Sequence, residues 1–279
     1  MSPSSRASEG PRTIRAAVPF VVLGVLLAAG CGQPAAHPAG GEIAFTIRTF
    51  ERKSAGCDSN GACAHIRIDY PEIAGAPSPA ARESLQSCIF GWVLRSPVDS
   101  LPLASAEAAM QAYLDAYAKF RRSFPNAMAR WDADRRATIL PSPPGIATLA
   151  ATVFEYNGGA HPNTVTHFAS LDVSNGRRLR PDDLLLAGSA PQLVQLAEQA
   201  FRRARRLPAS SALADSGYWF PNGFHLPSEF AVTPQGFRFY FNAYDVAPYV
   251  MGPTDFTVPY SELSSLIRRD GLLRSKANS

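Results

Sequence analysis

The only apolar run that approaches membrane length lies at the extreme N-terminus, where Ala16 to Ala29 carries no charge and follows Arg6, Arg12 and Arg15. It is too short to cross a bilayer comfortably and has the proportions of the apolar core of a secretory signal. Everything beyond it must fold through short amphipathic segments, which excludes a multi-span membrane protein. With 46% hydrophobic and 18% charged residues among 279, the chain has a globular composition and can bury a sizeable core. The formal charge of +4 owes half its excess to three arginines against Glu9 in the first 31 residues. The remainder is nearly neutral, so no nucleic-acid partner is expected.

The apolar run ends in Leu27-Ala28-Ala29-Gly30-Cys31. Small residues directly before a cysteine resemble a bacterial lipobox, in which the thiol receives diacylglycerol. Residues 1–31 are therefore expected to be a lipoprotein signal with Cys31 as the lipidated residue; an ordinary signal peptide with an incidental cysteine is the alternative. Residues 32–42, rich in Gly, Pro and Ala, read as a flexible tether. No Asp follows Cys31, which by resemblance to known lipoproteins favours the outer membrane, facing the periplasm. In an oxidising compartment, Cys57 and Cys63, which flank a short turn-forming loop, are expected to form a disulfide. Cys88 sits in an apolar helical pattern and reads as a buried thiol, with pairing to one of the other two as the alternative.

Alternation at Ile43, Phe45 and Ile47 and at Ile66, Ile68 and Tyr70 predicts two half-buried strands joined through the Cys loop, the second ended by Pro71. Ser78-Pro79 predicts a helix start, as does Ser105 with Glu107 two residues on. Strands are expected over 131–140, 146–156 and 164–173, the last followed by an Asn175-Gly176 turn. Leu193 to Ala204 has helical spacing, with Arg202, Arg203, Arg205 and Arg206 on its far side. Phe230 and Val232 lead through Pro234-Gln235-Gly236 to Phe237, Phe239 and Phe241 as a hairpin, and Pro259-Tyr260 opens a last short helix. Helices inserted between groups of strands predict an α+β domain over 43–270, a curved, mainly antiparallel sheet with helices packed on it.

Two stretches are distinctive. One is Phe154-Glu155-Tyr156-Asn157-Gly158-Gly159-Ala160-His161-Pro162-Asn163, continued by Leu171-Asp172-Val173. The other is Gly236-Phe237-Arg238-Phe239-Tyr240-Phe241, followed by Tyr244-Asp245-Val246-Ala247-Pro248-Tyr249 and Val258-Pro259-Tyr260. Together they resemble the extracytoplasmic domain shared by the anti-sigma factor RsiV and the accessory region of the deacetylase PdaC, the family of domain of unknown function 3298. The resemblance is strongest over about residues 150–265. It implies a lone domain of this kind on a lipid anchor. Because the RsiV domain binds lysozyme, it also implies a muramidase or peptidoglycan as ligand.

Tyr156, Asn157, Gly158, Gly159 and His161, with Tyr244 and Tyr249, are the candidate ligand-binding residues, since both segments combine turn geometry with polar and aromatic groups. His161 could equally serve as a structural hydrogen bonder. His161 and His167 share strand parity but lack a third ligand, so no metal is expected. No nucleophile elbow, zinc motif or phosphate loop is present, and Asp182-Asp183 reads as a helix-start cap. Tyr218, Trp219, Phe220, Phe224, Tyr244 and Tyr249 could line a sugar groove but are expected mostly in the core. The expected function is a non-catalytic, cofactor-free binding domain of the cell envelope; a peptidoglycan-modifying enzyme or a structural lipoprotein are the alternatives.

Overall fold

The computed structural model describes residues 42–55, 62–127 and 129–277. Cys31, Cys57 and the segments expected to be signal and tether lie outside the described residues, apart from Glu42. The domain is α+β, and its strands divide between two sheets. The larger sheet has the order β1 (Ala44–Lys53), β2 (Ala64–Gly75), β3 (Trp131–Leu140), β4 (Ile146–Asn157) and β5 (Asn163–Asp172). All its neighbours are antiparallel except β2 and β3, which run parallel. That parallel step requires a crossover, supplied by α1 (Pro79–Val93) and α2 (Ala106–Ser123). The Ser78 hydroxyl caps α1 by accepting the Ala81 N–H (3.0 Å), and Ser105 does the same for α2 at the Ala108 N–H (3.1 Å). Leu85, Ile89 and Val93 of α1 and Met110 and Tyr113 of α2 pack on Ile66, Ile68 and Leu149, making one core.

The smaller antiparallel sheet has the order β6 (Glu229–Val232), β7 (Gly236–Phe241) and β8 (Thr254–Pro259). Between the sheets in sequence lie α3 (Pro181–Leu184) and α4 (Ala190–Arg205), and α5 (Tyr260–Leu263) follows β8. Phe201 of α4 is fully buried and contacts Phe220, Phe224, Phe241 and Phe256, the centre of a second core. Gly236 must be glycine, because a Cβ there would lie 2.1 Å from the Val258 carbonyl oxygen.

A closed ring of buried hydrogen bonds joins the two sheets. The Thr148 hydroxyl of β4 donates to the Val232 carbonyl of β6 (2.8 Å), and the Val232 N–H donates to the Ser170 hydroxyl of β5 (2.8 Å). The two hydroxyls lie 3.0 Å apart, so with Thr148 committed to Val232, Ser170 donates to Thr148. Each group in the ring is satisfied once as donor or acceptor.

Two local expectations are corrected, and the Cys88 thiol is free as expected but half-buried. Pro71 does not end β2, which continues to Gly75. Pairing with β3 stops at Asp69, so Pro71 lies where β2 has one strand neighbour and its missing N–H costs no second ladder bond. The first strand is not half-buried: Phe45 and Ile47 are 43% and 55% exposed, because β1 is an outer strand. Cys88 is a free thiol, half-buried, and burial pushes its pKa up; it pairs with neither of the other cysteines.

Candidate functional site

The β4–β5 connection is a tight loop whose residues split between scaffold and surface. Asn157 accepts a hydrogen bond from the Tyr113 hydroxyl of α2 (3.2 Å). Gly158 takes φ +79° beside Ala129, at a point where a Cβ would approach the Ala129 methyl to 3.0 Å. These two residues anchor the loop to the helix side of the sheet. Tyr156 is half-buried on β4 opposite Asp132, and Gly159 is exposed with open space around its Cα.

His161 turns the other way and meets the segment after β7. Its ring stacks on Tyr249 at 3.8 Å between centroids and 18° between planes, and its Nε2 lies 3.2 Å from the Tyr244 hydroxyl. The Tyr249 hydroxyl donates to the Pro162 carbonyl (2.9 Å). The two distinctive sequence stretches are thus brought together at His161, Tyr244 and Tyr249, with the tyrosine rings 5.6 Å apart.

The segment carrying the tyrosines is held by a polar clamp. Asn242 accepts the Thr166 N–H (2.7 Å) and donates to the Thr166 carbonyl (3.1 Å), tying the end of β7 to β5. Asp245 accepts the Asn242 N–H (2.7 Å). Burial pushes the Asp245 carboxyl above the usual carboxylate range, against the pull of that bond. Tyr244 between them has φ +72°, a left-handed backbone that is strained for a bulky residue. Its ring is 53% exposed. Nearby, the Trp219 N–H donates to the Val246 carbonyl (2.7 Å), and both Trp219 and Val250 are exposed. Tyr218, Phe220 and Phe224 are in the core around Phe201, as expected, whereas Trp219 and Tyr244 are at the surface and not in the core.

The other charged clusters are committed to the fold. Asp183 accepts the Arg180 N–H and an Arg177 bond. Burial alone would raise its pKa, but these two partners outweigh it and hold the carboxyl below its usual range. Arg202 binds Glu198 and the Pro208 and Ser211 carbonyls, Arg203 binds Glu262, and Arg205 binds Tyr218 and the Met251 carbonyl. Arg206 takes the left-handed C-cap of α4.

One further polar cluster is centred on Arg135, a residue the sequence reading did not single out. Arg135, 1% exposed, binds Glu155 through Nε (3.0 Å) and Nη2 (2.6 Å), and its Nη1 reaches the Arg95 carbonyl (2.7 Å). They line a polar cavity of about 250 Å³ with His167 and Trp92, whose rings stack. His167 in turn contacts Glu229 (3.2 Å), so it does not meet His161. Among the described residues no group of three or more His, Cys, Asp or Glu is arranged to hold a metal.

Residues 182–261 match the family described as a protein of unknown function, DUF3298. That stretch contains Tyr244 and Tyr249 but not the His161 loop. The fold resembles the crystal structure of a DUF3298 family member from Bacteroides fragilis NCTC 9343 (TM-score 0.66, 20% identity, covering 86% of this chain and 99% of that one). It also resembles a DUF3298 family protein from Pseudomonas aeruginosa PAO1 (TM-score 0.62, 20% identity, covering 81% and 95%). No curated protein matches the chain in sequence. Residues 182–261 therefore resemble the DUF3298 family, within a chain whose fold is that of the solved DUF3298 proteins.

Proposed function

We propose that the protein is an exported envelope lipoprotein, anchored through Cys31 in the outer membrane and facing the periplasm, whose domain binds a ligand without turning it over. The ligand class is a lysozyme-type muramidase or peptidoglycan itself. The observation that carries this reading is the His161–Tyr249–Tyr244 cluster, in which His161 and Tyr244 are exposed and Tyr249 is half-buried beneath them. Aromatic rings with one polar edge, held rigid, suit recognition of a protein surface or a sugar face at low entropic cost. The strain at Tyr244 points the same way, since a left-handed tyrosine persists only where its surroundings enforce it. A non-catalytic role is supported by the occupancy of the carboxylates: Asp183, Glu155 and Glu229 each serve a structural partner. A Cys57–Cys63 bridge belongs to the same reading, as a staple on the β1–β2 connection.

The test is incubation of the full chain with purified sacculi and, separately, with lysozyme. Retention on one of them with no soluble muropeptide or acetate released is expected. Release of either product, abolished by Glu155→Gln or His167→Ala, would replace the binding role with a catalytic one.

A further inference from the structure

The two edges of the larger sheet are finished in opposite ways. The β5 edge is sealed by side chains and backbone from the second layer. Asn242 takes both backbone groups of Thr166, Glu229 accepts the Phe168 N–H (2.6 Å), Arg178 donates to the Phe168 carbonyl (2.6 Å), and the Leu179 N–H fills the Ser170 carbonyl (2.7 Å). Among the described residues no comparable seal lies along β1. Its outer edge has no strand neighbour among the described residues, it is 10 residues long, and it contains no proline. It also exposes Phe45 and Ile47 side by side on one face. Long, exposed apolar edges template pairing with another strand, and proteins ordinarily blunt them.

The sequence of β1 selects the strand that fits. A two-fold axis perpendicular to the sheet pairs odd residues with odd and even with even, so the axis must pass through a residue. Centred on Arg48, the pairing sets Arg48 against its own copy. Centred on Thr49, it sets Phe45 against Lys53 and Ile47 against Glu51 of the other chain. Centred on Ile47, it sets Ile47 against Ile47 and Phe45 against Thr49, gathering both exposed apolar pairs. The same register lays Thr46 against Arg48 and Ala44 against Phe50, so that it uses the strand from Ala44 to Phe50. We propose that β1 is a homodimer interface, pairing antiparallel with β1 of a second copy about Ile47, so that the two five-stranded sheets become one.

The experiment uses the full chain in its membrane, with Cys88→Ser as background. Ile47→Cys places two thiols at the two-fold axis, within the Cα separation a disulfide needs. Mild oxidation is expected to give roughly tenfold more covalent dimer than Val98→Cys, an exposed site away from β1. Arg48→Cys, one residue off the axis, is expected to match the Val98→Cys background. In sedimentation of the solubilised chain, Ile47→Lys should convert dimer to monomer while circular dichroism shows the fold retained, because the side chain is exposed within one chain. A monomeric wild type, equal cross-linking at all three positions, or a dimer that survives Ile47→Lys would each overturn the proposal.

Discussion

Replacing Thr148 by valine removes one hydroxyl from the ring that joins the two sheets while keeping the shape of the side chain. Thr148 and Ser170 are fully buried and Val232 has no exposure, so water cannot substitute. The Val232 carbonyl loses its donor at 2.8 Å and the Ser170 hydroxyl loses its acceptor at 3.0 Å. A buried polar group left unpaired costs about 1–3 kcal/mol. The carbonyl bears the full penalty and the hydroxyl, which can rotate, a smaller one, so the expected loss is about 2–4 kcal/mol. In a domain of this size each kcal/mol moves the melting temperature by about 2–4 °C. Urea unfolding should show the midpoint falling with an unchanged slope, since neither end state changes its exposed area. Ser170→Ala breaks the same ring, so the double variant should lose clearly less than the sum of the singles. A Thr148→Val loss below about 0.5 kcal/mol, or strict additivity with Ser170→Ala, would refute the closed-ring account.

Gly176→Ala should destabilise strongly and lower expression, because φ is +75° and the new Cβ would lie 2.4 Å from the Ala80 carbonyl at the start of α1; thermal unfolding of the soluble fraction reads this directly. Asp183→Asn should remove stability near neutral pH and none in strong acid. The native carboxyl is held below its unfolded pKa, so its contribution is present above that pKa and disappears as pH falls through the folded value; urea midpoints of both proteins across the acid range should converge. Labelling with a fatty-acid probe should mark the wild type and leave Cys31→Ser unmarked, and equal labelling would remove the lipid anchor from the account.

The helix starts were legible because capping is local: Ser78 and Ser105 sit three residues before the N–H groups they accept. The two Phe-rich strands of the second sheet were legible from strict alternation, and Asp183 from its place at a helix start. What escaped is non-local. Alternation in β1 predicts one buried face, but burial depends on what covers the strand, and β1 is an outer strand. Pro71 reads as a terminator unless the end of the β2–β3 pairing is known. The parallel step depends on a pairing across more than 60 residues, and the division into two sheets on β5 and β6 not pairing. At the site, both segments could be singled out in the sequence. Their meeting could not, since His161 and Tyr244 are 83 positions apart. Glu229 and Asn242 carry no periodic signature at all, because each acts through a single side chain on the edge of β5.

The most direct test of the account is a titration of the wild-type chain, His161→Ala and Tyr249→Ala against immobilised lysozyme and sedimented sacculi, with the melting temperature of each protein measured alongside. The His161 imidazole is exposed, so its removal should leave the melting temperature within a few degrees of wild type. A ligand-facing cluster of stacked rings should lose about tenfold or more in affinity for one of the two targets, in keeping with an interfacial aromatic hot spot. Unchanged capture by both variants, or a loss of binding accompanied by a matching fall in melting temperature, would contradict the assignment of His161, Tyr244 and Tyr249 as the binding surface.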